Sequence, residues 1–201
     1  KKINFKKKDI DQYNKTSKLI KKYQHYKCIK YQKFKKNIGQ RFLAKKVLDI
    51  VFKNSLKILS DLIAFKTVSG ENNNPLINYC DELLKKYGAT SFKTYDEEKK
   101  RANLFATLKA EKTNGKKPII FSGHTDVVPA SKDWNTDPFV ATIKDEKVFG
   151  RGACDMKGFI ACTLAYAPIY AKANLDRDIH FSFTFDEETA CQGAPILIKE
   201  L

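Results

Sequence analysis

The chain has 201 residues, 42% hydrophobic and 12% aromatic, enough for one packed domain or part of a larger one. It holds no run near the roughly 18 uninterrupted apolar residues of a membrane span, and no short apolar segment followed by a small-residue cleavage site. The net charge of +15 sits at one end: residues 1–50 carry +14 and the remainder +1, so a basic-partner question concerns the N-terminal segment alone.

Lys1 to Lys46 is dominated by Lys, Tyr, Asn, Gln and Ile, with Arg41 its only arginine and Gly39 its only glycine. These are residues of AT-rich codons, the chain begins with Lys, and its single methionine is Met156. Residues 1–46 are therefore expected to be translated AT-rich sequence, forming a solvated, disordered extension that contributes nothing to the fold. A transit peptide would favour Arg and Ser. A basic arm for nucleic acid or an anionic surface is the alternative; it predicts steep salt dependence, but the core offers no nucleic-acid motif, which disfavours that partner.

Leu56, Leu59, Leu62 and Ile63 recur at helical spacing over 55–65, with Asn54 or Ser55 as N-cap and Thr67-Val68-Ser69-Gly70 as terminator. A second amphipathic helix covers 75–87, closed by Gly88. Residues 91–95 and 103–108 read as strands. Pro118-Ile119-Ile120-Phe121-Ser122 is apolar on both faces, as in an interior strand. Residues 140–143 and 147–149 suggest a hairpin. Residues 158–173 are apolar nearly all round and predict a buried helix, bent or ended near Pro168. Ile179, Phe181, Phe183 and Phe185 alternate with His180, Ser182 and Thr184, which marks a strand with a structural His180 on its polar face. A last helix starts near 193–195. Strands alternating with helices give an α/β fold: a central, mostly parallel or mixed sheet with helices on both faces.

The five cysteines, Cys28, Cys80, Cys154, Cys162 and Cys191, are odd in number and lack CxxC spacing, which fits a reduced cytoplasmic setting. Cys154 beside Asp155 invites a ligand or nucleophile reading, but a free cysteine is more often a small buried apolar residue. Trp134 to Phe139 reads as a packed turn.

Three short motifs fall at predicted strand or loop edges: Ser122-Gly123-His124-Thr125-Asp126, Asp155 in a glycine-flanked loop, and Asp186-Glu187-Glu188. Singly, each has a bland explanation: a structural histidine, a helix cap, a solvated turn. Together they match the needs of a hydrolytic metal site, which takes neutral imidazole and carboxylate ligands and, for two ions, a bridging carboxylate. His124 would bind one metal, Asp155 would bridge, and Asp126 would accept the other ring N–H of His124. Of Glu187 and Glu188, one would bind the second metal and the other act as general base. If the strands before His124 and Glu187 are parallel, both motifs reach one sheet edge despite separations of 31 and 33 residues through Asp155.

With Trp134-x-x-Asp137-Pro138-Phe139 and Gly150-Arg151-Gly152-x-x-Asp155-Met156-Lys157-Gly158 added, the ordered motifs resemble the dinuclear zinc amidohydrolases, a family that includes acetylornithine deacetylase, succinyl-diaminopimelate desuccinylase, aminoacylase and glutamate carboxypeptidases. Arg101 to Thr107, Met156 to Ala161 and Cys191 to Pro195 look most like acetylornithine deacetylase. The resemblance implies two divalent ions, Zn2+ or Co2+, with His124, Asp155 and Glu188 as ligands, Glu187 as general base and Asp126 as partner of His124. It implies a small N-acyl amino acid substrate, first N2-acetylornithine and next succinyl-diaminopimelate or a dipeptide. It implies a homodimeric full-length enzyme, and residues 47–201 as the N-terminal part of a catalytic domain. The family pattern also needs an acidic ligand some tens of residues beyond Glu188 and a second metal-binding histidine further on, and residues 189–201 supply neither. On that ground the 201-residue chain is expected to bind metal weakly and to lack turnover; a non-catalytic remnant of the fold is a third reading.

Overall fold

The computed structural model describes residues 38–113 and 115–201, so His25, Cys28 and the expectations for residues 1–37 lie outside the described residues. Helix α1 (Ile38–Ala64) starts well before the Asn54–Ser55 cap expected from sequence, and Ile38 to Lys46 is helical where a disordered extension was expected. Ser55 does not cap. Its Oγ donates to the Val51 carbonyl at 2.9 Å, one turn back, which satisfies the hydroxyl inside a helix. Val51, Ile58, Leu59, Leu62 and Ile63 carry the buried stripe. Helix α2 (Asn74–Lys85) has Pro75 in its first turn, where a missing N–H costs nothing. It buries Leu76, Ile77, Cys80 and Leu84, and Gly88, at φ +86°, ends it.

Strands β1 (Thr90–Tyr95), β2 (Ala102–Leu108) and β3 (Ile119–His124) follow, then a hairpin of β4 (Thr142–Lys144) and β5 (Lys147–Phe149). Asp145 and Glu146 both take positive φ, as a two-residue turn matched to strand twist requires. Helix α3 (Lys157–Lys172), strand β6 (Ile179–Thr184) and the short helix α4 (Gly193–Ile198) complete the fold. The main sheet has order β1-β2-β6-β3; β1/β2 and β2/β6 are antiparallel and β3/β6 parallel. The fold is mixed α/β, as expected.

Period-two alternation places Leu104, Ala106 and Leu108 of β2 opposite Phe183, Phe181 and Ile179 of β6. All six belong to one core cluster with α2, α3 and the C-terminal half of α1. The opposite face carries Asn103, Thr107, His180 and Ser182, and α4 meets it where the Asn103 amide donates to the Gly193 carbonyl at 2.9 Å. Two details depart from the sequence reading. Strand β3 is an edge strand among the described residues, with Ile119 and Ile120 exposed, because apolar runs report hydrophobicity and not neighbours. Helix α3 runs through Pro168 to Lys172 and is one-sided: Ile160, Ala161, Leu164, Ala165 and Ala167 are buried, whereas Phe159 and Cys162 are exposed.

Lys157, at the start of α3, has no solvent exposure and donates to the Phe65 carbonyl at 2.7 Å. Burial pushes its pKa down to about 8, against opposing pulls from Cys80 and Asp126. The folded state thus binds this proton less tightly than the unfolded chain. The destabilisation is fully present below pH 8 and is relieved as pH rises toward the ordinary 10.5. Phe65 keeps a second donor, the Thr67 amide at 2.9 Å. Lys157→Met is therefore expected to stabilise the metal-free protein by about 2 kcal/mol at pH 7, after subtracting one lost hydrogen bond. The gain over wild type should vanish near pH 10.5; urea unfolding at both pH values reads it, and an equal gain at both would contradict the charge argument.

Candidate metal centre

His124 ends β3, and Glu187-Glu188 lie just past the end of β6. The two strands are parallel, with His124 opposite Thr184, so both motifs emerge at one sheet edge. The ladder continues one residue further: the amide and the hydroxyl of Thr125 both donate to the Thr184 carbonyl, at 2.8 and 3.0 Å. On the other side, Thr67 to Ser69 runs beside Val127, which bonds the Thr67 carbonyl at 2.9 Å and accepts the Ser69 amide at 3.1 Å.

The His124 ring is buried. Its Nδ1 lies 3.0 Å from the Asp126 carbonyl oxygen and 3.4 Å from Asp126 Oδ1. A carbonyl only accepts, so Nδ1 is protonated whether the ring is charged or neutral, and Nε2, which faces the carboxylates, is the nitrogen that loses its proton when the ring becomes neutral. Sequence reasoning assigned this contact to the Asp126 side chain; the backbone carbonyl is nearer and the carboxylate second. Nε2 sits 3.1 Å from Asp155 Oδ1 and 3.8 Å from Glu187 Oε2. His124, Glu187 and Glu188 each offer a ligand atom, all within 4.8 Å of one another. Asp155, Glu187 and Glu188 are exposed. An imidazole nitrogen grouped with two carboxylates, and a third carboxylate against the same nitrogen, are donors of the kind that suit a divalent cation of the Zn2+ type.

Asp126 does more than face His124. It is almost fully buried, and its carboxylate accepts the Ser69 hydroxyl at 2.7 Å, the Glu187 amide at 3.0 Å and the Glu188 amide at 3.2 Å. Burial alone would raise its pKa, but these bonds and His124 hold it below the usual carboxylate range. Burial alone would lower the His124 pKa; Asp126 and Asp155 outweigh it and lift it to about 9. Gly123 leaves room beneath the site: a Cβ there would meet Met156 Cε at 3.1 Å, and Met156 Sδ accepts the His124 amide at 3.3 Å.

Residues 120–201 match the sequence model of peptidase family M20/M25/M40. The succinyl-diaminopimelate desuccinylase of Rickettsia canadensis (strain McKiel) is 45% identical over 141 residues, covering 66% of this chain and 35% of that protein. That of Rickettsia felis (strain ATCC VR-1525 / URRWXCal2) is 42% identical over 141 residues, covering 66% and 36%. The chain thus spans about a third of the length of the curated relatives it matches. In fold it is similar to human carnosine dipeptidase 1, with TM-score 0.63 at 24% identity over 79% of this chain and 38% of that one. It is also similar to the di-peptidase Dug1p from Saccharomyces cerevisiae, with TM-score 0.58 at 19% identity over 72% and 34%.

Several contacts of the site escaped the sequence reading. Ser69 was a helix terminator there, yet it binds Asp126. Asp186 was only the first letter of a motif, yet it is buried and bonds Gly70 and Arg101. A buried acidic residue directly before two exposed ones was the available signal. His180 keeps its structural reading: its Nδ1 pairs with Thr107 Oγ1 at 2.8 Å and its ring lies 5.0 Å from Phe105. Among the described cysteines Cys80 is buried and Cys154, Cys162 and Cys191 are exposed, so Cys154 is not the small buried residue expected. The Trp134 to Phe139 turn packs on cations: Arg151 lies over Trp134 at 5.2 Å and Lys66 over Phe139 at 5.5 Å. Among the described residues, no helix is long and apolar enough to cross a membrane.

Proposed function

We propose that this chain is part of a metal-dependent amidohydrolase that removes the acyl group of an N-acyl amino acid, with succinyl-diaminopimelate as the favoured substrate. The observation that carries the reading is the convergence of His124, Glu187 and Glu188, with Asp155 against the same imidazole nitrogen. His124, Asp155 and Glu188 would hold two divalent ions, Zn2+ or Co2+. Bound divalent cations supply Lewis acidity to the acyl carbonyl and to water. Glu187 would take the proton of the attacking water and return it to the leaving amine. Its exposure, at 47% of the side chain, leaves it free to reach substrate. Asp126 would orient His124 and both glutamates from below.

The substrate choice rests on the names of the relatives. The motif resemblance ranked N2-acetylornithine first, but the relatives that match at 40–45% identity are desuccinylases, which favours the runner-up. Assayed side by side with Zn2+ or Co2+, the full-length protein is expected to cleave succinyl-diaminopimelate with a higher kcat/KM than N2-acetylornithine. A preference for acetylornithine would overturn the substrate, and hydrolysis that survives chelation would overturn the mechanism.

A further inference from the structure

Glu187 and Glu188 are presented by a sharp corner. Asp186, immediately before them, adopts a left-handed φ of +52°, an unusual conformation for a residue with a side chain. Such a conformation persists where its surroundings fix it. Here the fixing contacts are explicit. The Asp186 carboxylate is buried, accepts the Gly70 amide at 2.9 Å through Oδ1 and pairs with Arg101 Nη1 through Oδ2, while its own carbonyl accepts the Gln192 amide at 3.0 Å.

Arg101 is itself locked. Its Nε binds Asp96 Oδ2 at 2.8 Å, and its guanidinium lies 5.3 Å over the Phe185 ring. Asp96 is anchored in turn by the amides of Lys100 and Arg101, at 2.8 and 2.9 Å. A planar guanidinium bridges two carboxylates with a rigid fork of donors while its face stacks on an aromatic ring, whereas an ammonium is a point charge on a flexible stem. The corner is therefore clamped twice. Asp126 holds the Glu187 and Glu188 amides from the His124 side, and Arg101 holds Asp186 from the β1–β2 side.

We infer that Arg101 is a positioning residue that acts through Asp186 to aim Glu187 and Glu188 at the metal centre. The inference rests on the roles proposed above for the two glutamates. Arg101 makes no hydrogen bond or ion pair with either of them, so its effect travels through Asp186 and the backbone of the corner.

The test uses the whole 201-residue chain, isotope-labelled, as wild type, Arg101→Met, Asp186→Asn and the double variant. Amide hydrogen exchange reads the corner without metal, and Co2+ titration with visible absorption reads the centre. Both single variants are expected to speed exchange at Glu187 and Glu188 about tenfold relative to β2 and β6 amides, and to weaken Co2+ binding about tenfold. The double variant should be no worse than either single, because both break one contact chain. Asp186→Asn is nearly isosteric and keeps the test readable should Arg101→Met unfold. Unchanged corner exchange and Co2+ affinity beside a lowered melting temperature would overturn the inference, leaving Arg101 a brace of the fold. Strictly additive effects would overturn it as well. Corner exchange that responds in a chain whose wild type takes up no Co2+ would support the positioning role and sink the metal assignment instead.

Discussion

Asp126→Ala is expected to weaken Zn2+ or Co2+ binding by at least about 100-fold, the upper end of what loss of a group behind a ligand costs. The size follows from how many site groups meet on one carboxylate. Asp126 flanks the His124 ring nitrogen and accepts the Ser69 hydroxyl and the amides of Glu187 and Glu188. Alanine removes all four interactions and leaves buried donors without partners, each costing roughly 1–3 kcal/mol. The same substitution takes away the main pull that lifts the His124 pKa to about 9, so that pKa should fall toward its ordinary 6.5. Competition titration against a chromophoric chelator measures the affinity, and NMR of the imidazole measures the pKa. An affinity within threefold of wild type would remove Asp126 from the site.

Metal binding is expected to be strongly pH-dependent. In the metal-free chain His124 has a pKa of about 9 and is a cation at neutral pH. A metal ion needs the neutral imidazole, so binding must expel that proton. Affinity should therefore fall about tenfold for each pH unit below 9, or on the order of 50–100-fold between pH 9 and pH 7, and flatten above 9. Calorimetry at pH 7.5 in buffers of different protonation enthalpy should count about one proton released per metal bound at His124. A flat profile with no proton release would refute the idea. The sign for stability is separate. The raised His124 pKa gives the metal-free fold a contribution that is fully present below pH 6.5 and lost as pH rises through about 9. Lys157 acts in the opposite sense, its penalty lifting above pH 8, so the His124 effect is read cleanly in the Lys157→Met background.

The candidate donors were legible from the chain itself, since residue type and order do not need coordinates. His124, Asp126, Asp155, Glu187 and Glu188 stood out as donors at the ends of apolar segments, and all five lie at or beside one imidazole. The strands at 91–95, 103–108 and 178–185 were also legible, as β-forming runs set off by polar residues, with period-two alternation explicit in the last. The start of α1 was not. Asn54 and Ser55 are good caps by type, but a serine in a helix interior can bond the carbonyl one turn back, and here it does.

What the sequence determined was the donor set, the α/β alternation and the segregation of basic charge into residues 1–50. What only the tertiary structure decided was neighbourhood. The parallel pairing of β3 with β6 brings His124 to the Glu pair. The placement of β3 at a sheet edge could not be read from its apolar run. The convergence of Ser69, Gly70, Asp126, Arg101 and Asp186 on the glutamate corner includes a contact between residues 116 positions apart, Gly70 and Asp186. Periodicity and propensity act over a few residues, whereas these contacts depend on which buried carboxylate finds which donor once the core has closed, and local sequence holds no record of that choice.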